Sequence, residues 1–577
     1  MVRTEYFMDE QAYLNRLQEL WQKNWPEHLR IDPVYPLGEI LITEYLQQWA
    51  AKQPDKPCLI YYGRTITFKE MDDLSNRFAA FLAAKGYQKR DRVAVFLPTC
   101  PQFYIVFYGI LKLGCVHVPV NPMFKKHELL YELQDTQAEL IVTLDQLVPL
   151  VEEVQKETSV RSIVVTRYAD FLPDHPTIPL HPTLSVPHLD CPGSIDLLSV
   201  LQEQNPNYPN PDVSLDDLAS LNYTGGTTGM PKGCEHTQRD MIYTRAAMTT
   251  YNPQGEDVAH PVGLLYVPAF WIGGQLDLLL PVFTGNPCVL LSRWDPLAVL
   301  TAIDRYQVTS FGGVLDNLVE LMEHPDLSQY DLSSLKSTTT SSFIKKLNPE
   351  YRRQWKALTG LTLRETAYGL TETHTSDTFT TGLDKDDRDL KTTPTFCGLP
   401  MPGTQLKILN FETRELVPLG AEGEIVIKTP SLLKSYWNQP EMTKEKLQDG
   451  WFSTGDIGML DEEGFLHFLG RRKEMLKMRG MSVFPSEIEI ILGHHPAING
   501  SAVVGKPDPE KGEVPVAFIQ LRPEFSDLSV DALHSWCQEN MATYKVPQIR
   551  SIDEFPLTTT GKVKKEVLKK EFLKETR

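Results

Sequence analysis

The sequence predicts an α/β protein in unequal parts. A large, multi-subdomain N-terminal α/β domain is expected over residues 41–470, after an extension over 1–40, and a small C-terminal α+β domain over 471–577. Three observations carry this. Helix-period and strand-period stretches alternate from residue 40 to 165, the pattern of mixed α/β layers. Charge rises abruptly at Gly470-Arg471-Arg472-Lys473, after a run rich in Gly and Asp, which marks a boundary. A chain of 577 residues also has room for more than one core.

Taken in order, residues 9–25 form an amphipathic helix with Leu14, Leu17, Leu20 and Trp21 on one face, ended by Pro26 and expected to pack on the main body. Residues 67–85 are helical, with Met71, Leu74, Phe78 and Leu82 in phase; 92–97 read as a strand, 103–113 as an apolar helix and 116–119 as a strand. Residues 171–214 carry Pro173, Pro176, Pro179, Pro182, Pro187 and Pro192 and are expected to be an irregular connector. Residues 218–223 alternate like a strand. A capped helix start is expected at Thr237-Gln238-Arg239-Asp240. Further on come apolar segments around Gly273-Gly274 and Gly285, a helix over 351–358, strands and turns over 420–470, and a helix over 485–492 that opens the small domain.

Bulk properties exclude several classes. Hydrophobic content is 41% and charged content 23%, ordinary for a globular protein. A net charge of −18 argues against nonspecific nucleic-acid binding. The eight cysteines form no Cys-x-x-Cys pair, so neither a zinc site nor a disulfide framework is signalled, and reduced thiols in a cytoplasm are the simpler reading. Glu5, Asp9 and Glu10 are unlike a signal peptide. The most apolar stretch, 93–120, is broken by Pro98, Pro101 and Lys112 and is no spanning helix; a peripheral membrane contact stays open, as does the oligomeric state.

The chain is organised around Thr224-Gly225-Gly226-Thr227-Thr228-Gly229-Met230-Pro231-Lys232-Gly233. Glycines let several N–H groups turn toward one oxyanion, threonines add hydroxyl donors and Lys232 adds charge, so the loop suits polyphosphate. It differs from the P-loop of NTPases, because a proline separates Gly229 from Lys232 and a glycine follows the lysine.

Three further constellations can carry chemistry. In Tyr368-Gly369-Leu370-Thr371-Glu372 the aromatic can stack on a purine, Thr371 can donate to a phosphate and Glu372 can hold magnesium; a strand-end turn is the alternative. In Gly450-Trp451-Phe452-Ser453-Thr454-Gly455-Asp456 the carboxylate can accept from both ribose hydroxyls, or close an Asx turn. In Thr558-Thr559-Thr560-Gly561-Lys562 the lysine follows a glycine in a turn, and simple solvation is the alternative.

Residues 223–233 resemble the nucleotide signature of the adenylate-forming (AMP-binding) enzymes: acyl-CoA synthetases, adenylation domains of peptide synthetases and beetle luciferases. The family's usual Thr-Ser-Gly reads Thr224-Gly225-Gly226 here. The other three constellations follow in family order, with supporting matches at Gly398-Leu399-Pro400-Met401-Pro402-Gly403, Gly423-Glu424-Ile425 and Gly480-Met481-Ser482-Val483-Phe484-Pro485. The resemblance covers nearly the whole chain beyond the first forty residues.

The resemblance implies ATP, Mg2+ and CoA as cofactors and a carboxylic acid as substrate. It implies that Thr224, Gly225, Gly226, Thr227, Thr228, Gly229, Lys232, Tyr368, Gly369, Thr371, Asp456, Arg471 and Lys562 bind ATP or AMP. Lys562, Thr371 and Glu372 are then catalytic, and Thr224 and Glu372 lie at the metal. Tyr368 is expected on adenine, and Asp456 with Arg471 on the ribose. The small domain becomes a mobile lid with Lys473 at its hinge, bringing Gly480 and Met481 to a CoA tunnel after Lys562 has served adenylation.

Two segments depart from the family. Pro268-Ala269-Phe270-Trp271 has an indole where many members have histidine, so Trp271 either gates the acyl pocket or packs in the core. Thr338-Thr339-Thr340-Ser341-Ser342-Phe343 replaces a Gly-rich segment, and Ser342 and Phe343 are expected to narrow the pocket with Phe270 and Trp271. His374, beyond Glu372, faces either the pocket or the surface. The expected activity is that of an AMP-forming acid–CoA ligase for a fatty or other hydrophobic acid. Alternatives are an aryl or alicyclic acid, transfer to a carrier-protein thiol, luciferase-type oxygenation, or a non-catalytic nucleotide-binding protein.

Overall fold

Strand-forming runs that are largely apolar, such as Arg92–Phe96 and Leu140–Leu144, build two mainly parallel sheets covered by helices. The computed structural model describes residues 9–208, 211–224, 230–251, 258–365, 368–391, 395–478, 481–558 and 561–575.

The first sheet runs, in spatial order, Arg364–Glu365, Ser337–Ser341, Ser310–Val314, Gly263–Leu265, Cys288–Leu290, Pro57–Tyr61, Arg64–Thr67, and only its last pairing is antiparallel. The second runs Ile195–Asp196, Ser162–Thr166, Leu140–Leu144, Arg92–Phe96, Val116–Pro119, Leu218–Tyr223, Gly233–Thr237, again antiparallel only at the end. Side chains alternate across the second sheet. Val93 and Val95 enter the core shared with the first sheet, while Ala94 and Phe96 enter the core on the opposite face.

The apolar helix Pro101–Leu113 lies wholly inside the shared core, and every one of its residues is buried. Its Lys112 is tolerated because Nζ reaches four acceptors: Asp72 Oδ1 at 2.6 Å, Asp72 O at 3.0 Å, Ser75 Oγ at 2.8 Å and Asn76 Oδ1 at 2.7 Å. Burial still pushes its pKa down to about 8. Among the described residues no helix is long and apolar enough to cross a membrane.

A third, antiparallel sheet carries Thr395–Pro400, Leu466–Arg471, Trp451–Leu460, Gly423–Lys428 and Gln405–Leu409. The N-terminal helix Glu10–Asn24, capped by Asp9, packs on it. Tyr13, Leu17 and Leu20 are its buried residues, while Leu14 is only half-buried, and Trp21 donates its indole N–H to Gly464 O at 2.8 Å. A smaller fourth sheet joins Met481–Val483, Leu476–Met478, Gly512–Leu521, Ile498–Asp508 and Gln548–Ser551, with helices Pro485–Leu492 and Val530–Asn540. Its first strand in chain order begins at Leu476. Arg522 Nη2 donates to Tyr351 OH at 2.7 Å, Asn348 Nδ2 to Gly493 O at 3.4 Å, and Ser486 Oγ to Leu469 O, fastening the small sheet's elements to the body.

Element positions follow the sequence pattern closely. Thr67 caps the helix Phe68–Ala84 by accepting from Glu70 N at 3.1 Å. Thr237 and Asp240 form a reciprocal capping box, Thr237 N to Asp240 Oδ2 at 2.8 Å and Asp240 N to Thr237 Oγ1 at 3.3 Å, opening the helix Gln238–Tyr251. The proline-rich connector is irregular only in part. It contains the strand Ile195–Asp196 and the helix Leu197–Glu203, which Asp196 caps by accepting from Ser199 N at 2.9 Å.

Candidate functional site

The strands Leu218–Tyr223 and Gly233–Thr237, which flank the Gly/Thr segment in sequence, pair antiparallel. Thr224 and Lys232 close the neck of that segment: Thr224 N donates to Lys232 O at 2.9 Å and Lys232 N to Thr224 Oγ1 at 3.2 Å. Gly225, Gly226, Thr227, Thr228 and Gly229 lie outside the described residues. Lys232 Nζ stands over the Tyr436 ring, 4.9 Å from its centroid.

The Tyr368–Glu372 motif packs beside this neck. Gly369 is obligatory, since a Cβ there would come within 1.6 Å of the Thr375 carbonyl oxygen. Three successive carbonyls of the turn are held from outside. His236 Nε2–H donates to Thr371 O at 2.8 Å, Leu433 N to Glu372 O at 2.8 Å, and Ser431 Oγ to Thr373 O at 2.8 Å. Glu372 Oε1 accepts from Tyr436 OH at 2.8 Å, and its other oxygen accepts nothing from the described residues. His374 faces neither pocket nor surface: it is fully buried, with Nδ1 3.2 Å from Thr244 Oγ1 and its ring edge-on to His236, and burial pushes its pKa down to about 3.

Tyr368 is 8% exposed, tilted against Phe468, and its hydroxyl donates to Asp456 Oδ2 at 2.8 Å. Asp456 is not in an isolated turn but inside the strand Trp451–Leu460, and its register partner is Arg471 on the neighbouring strand. Arg471 Nε lies 3.6 Å from Asp456 Oδ1. Burial pushes the Asp456 carboxyl up to about 6, with Arg471 and the Tyr368 hydroxyl opposing.

The small domain delivers Lys562 to the same place. The turn that carries it is closed by Thr558 N to Lys562 O at 2.6 Å and Lys562 N to Thr558 Oγ1 at 3.0 Å, with Gly561 at φ 75°. Lys562 Nζ is 5.6 Å from the Phe343 ring centroid, and Arg471, Asp456 and Glu474 are the charges that act on it. Its side chain keeps solvent on one side, and desolvation by the cleft walls still lowers its pKa. Lys473 sits in the single helical turn Arg472–Glu474 that joins the third sheet to the fourth. Gly480 lies outside the described residues; Met481 begins the strand Met481–Val483.

The expected acyl wall is assembled in two pieces. Phe270 and Trp271 are half-buried and edge-to-face, centroids 5.6 Å apart, just before the helix Ile272–Thr284, and the Trp271 indole N–H has no hydrogen-bond partner among the described residues. Ser342 is committed to Glu365: its N and Oγ each donate to that carboxylate at 2.6 Å. Burial pushes Glu365 up to about 7, with Ser342 and Lys346 opposing. Phe343 touches the Lys562 turn of the small domain. Sequence reasoning missed Glu365 and Tyr436; the aromatic Tyr436-Trp437 pair inside a polar loop was the only local sign of the second.

A magnesium ion would find here one free carboxylate oxygen on Glu372 and the Thr224 hydroxyl. Among the described residues no cluster of His, Cys, Asp and Glu could form a metal cage. Such a sparse donor set fits an ion held largely by phosphate oxygens and water.

Residues 46–437 match the model of the AMP-binding enzyme family, and residues 487–562 that of the AMP-binding enzyme C-terminal domain. The chain is 34% identical to a long-chain-fatty-acid–CoA ligase of Bacillus subtilis strain 168, over 95% of this chain and 97% of that one. It is similar to the crystal structure of ATP-bound MatB from Rhodopseudomonas palustris, with TM-score 0.78 and 25% identity, covering 92% of this chain and 99% of the other. It is equally similar to the anthranilate CoA ligase AuaEII in complex with anthranoyl-AMP, with TM-score 0.78 and 26% identity, covering 93% and 98%.

Proposed function

The chain belongs to the AMP-binding enzyme family and is an AMP-forming acid–CoA ligase; on that premise we propose a fatty or other long hydrophobic acid as its substrate. The observation that carries the reading is the end-to-end likeness to a long-chain-fatty-acid–CoA ligase. The meeting of Glu372, Asp456, Arg471 and Lys562 around one cleft supports it.

In this reading Asp456 and Arg471 fix the ribose, and Lys232 and the loop N–H groups hold the phosphates. Lys562 sits between the acid's carboxylate and the α-phosphate. One carboxylate oxygen attacks the α-phosphorus and pyrophosphate leaves. The preset positive charges stabilise the transition state. Thr224 and Glu372 would hold magnesium, which when bound would neutralise phosphate charge. The CoA thiol then attacks the acyl carbon and AMP departs with the carboxylate oxygen. We read the present arrangement, with Lys562 beside Asp456 and Arg471, as the adenylating pose. A turn about Lys473 then withdraws Lys562 and opens the thiol's route past Gly480 and Met481. The domain limits stay as proposed, 41–470 and 471–577, with the N-terminal helix docked on the first. Eight unpaired cysteines suit a reducing cytoplasm.

The edge-to-face pair Phe270–Trp271 favours one second reading, a flat aromatic acid stacked in the pocket. Pyrophosphate release measured over straight-chain, branched and aromatic acids tests both. Long straight-chain acids at the highest kcat/KM support the first reading, aromatic acids the second, and activity with none removes both.

A further inference from the structure

The geometry points to Tyr436 as a positioning residue for adenylation, one that holds Lys232 and Glu372, the cation and the carboxylate of the phosphate site, apart and aimed before nucleotide arrives. This rests on the acid–CoA ligase reading. Tyr436 touches both charges at once. Its hydroxyl donates to Glu372 Oε1 at 2.8 Å, while its ring lies under Lys232 Nζ at 4.9 Å. A phenol suits both duties, because its O–H binds a carboxylate and its ring face attracts an ammonium.

Opposite charges in a partly desolvated cleft attract strongly. Yet no ion pair joins Lys232 to Glu372 among the described residues, although both contact the same side chain. Were they paired, phosphate would have to break the pair to reach Lys232. With Tyr436 between them, one Glu372 oxygen and the Lys232 ammonium are left for the nucleotide, so less reorganisation is needed at the moment of reaction.

The wedge is itself rigidly placed. Residues 434–437 extend the second sheet beyond the strand Gly233–Thr237. Cys234 and Tyr436 form an antiparallel bridge, Glu235 N donates to Ser435 O at 3.0 Å and Trp437 N to Gly233 O at 2.8 Å. Tyr436 N donates to Thr443 Oγ1 at 2.9 Å, and the residue is 3% exposed. The backbone that presents Lys232 is therefore bonded directly to the backbone that presents Tyr436, and Leu433, in the same loop, binds the Glu372 carbonyl.

A residue acting through Glu372 is separated from a packing residue by a double-mutant cycle. Tyr436→Phe keeps the ring and removes only the donor. We measure pyrophosphate release, and ATP affinity by calorimetry without acid, for wild type, Tyr436→Phe, Glu372→Gln and the double variant. Expected is a loss of about tenfold or more in kcat for Tyr436→Phe, from the lost bond to a charged acceptor, with a smaller change in ATP affinity. In the Glu372→Gln background the same change should cost little further. Thr443→Val, which loosens the wedge from outside the site, should give a smaller loss that also vanishes in that background. If Tyr436→Phe folds poorly, this second variant decides. Wild-type kinetics for Tyr436→Phe, or the same factor of loss in both backgrounds, overturns the inference while leaving the ligase reading intact. A wild-type protein that releases no pyrophosphate with any acid removes both.

Discussion

Asp456 and Arg471 are register partners on adjacent antiparallel strands, and Arg471 is the last residue of its strand, directly before the turn Arg472–Glu474. The ribose-binding pair of the proposed mechanism is thus built into the junction that would rotate. Lys562 returns to the same pair from the far end of the small domain.

This pairing has a pH signature. Burial holds the Asp456 carboxyl near 6, so lowering the pH through that value protonates it. A neutral carboxyl attracts Arg471 less and loses acceptor strength toward two hydroxyls, so ribose affinity should fall on the acid side. Adenosine, which has no group titrating near neutrality, should bind about tenfold more weakly at about pH 5 than at neutral pH. Calorimetric titration checks this, and a flat profile removes Asp456 from the ribose role.

Glu372→Gln should slow adenylation by about 10²–10³, because a charge facing the phosphates is lost where its effect is largest. Folding should be little affected, since Tyr436 can still donate to the amide oxygen. Pyrophosphate release near the wild-type rate in this variant takes Glu372 out of the mechanism.

Trp271→Ala should shift preference toward bulkier or longer acids. The indole is half-buried, packs edge-to-face on Phe270 and has no hydrogen-bond partner for its N–H among the described residues. Relative kcat/KM over the acid panel is the readout. An unchanged order reduces Trp271 to a packing residue.

What was legible in the sequence was local. The strands Val116–Pro119 and Leu218–Tyr223 and the helix Pro485–Leu492 fall where periodicity places them. Thr237 caps a helix as expected, because capping depends on neighbours three residues away. Side-chain pairs made by tertiary folding were not legible. Tyr436 meets Glu372 across 64 residues and Tyr368 meets Asp456 across 88, and no spacing rule encodes either. Ser342 and Phe343 illustrate the same limit. Both are expected on the acyl wall, and only the folded chain shows that Ser342 donates to Glu365 and that Phe343 touches the Lys562 turn.

The two lysines of the small domain should fail in opposite steps. Lys562→Ala should slow acyl-adenylate formation, since the charge between carboxylate and α-phosphate is lost, yet spare thioester formation from supplied acyl-adenylate. Lys473→Pro should do the reverse, because a fixed φ in the turn Arg472–Glu474 restricts the swing. Both half-reactions measured on both variants decide the matter. Equal losses in both steps for both proteins leave a single fixed active site.

The central claim is that the acid is activated as an acyl-adenylate, and the fate of one oxygen atom tests it most directly. An acid labelled with oxygen-18 in its carboxylate is incubated with the protein, ATP and CoA, and the products are weighed by mass spectrometry. Attack of the carboxylate on the α-phosphorus, followed by thiol displacement, predicts one labelled oxygen in each AMP and acyl-CoA formed in equal amount. Label in orthophosphate with ADP in place of AMP, or label in pyrophosphate with AMP carrying none, would contradict it.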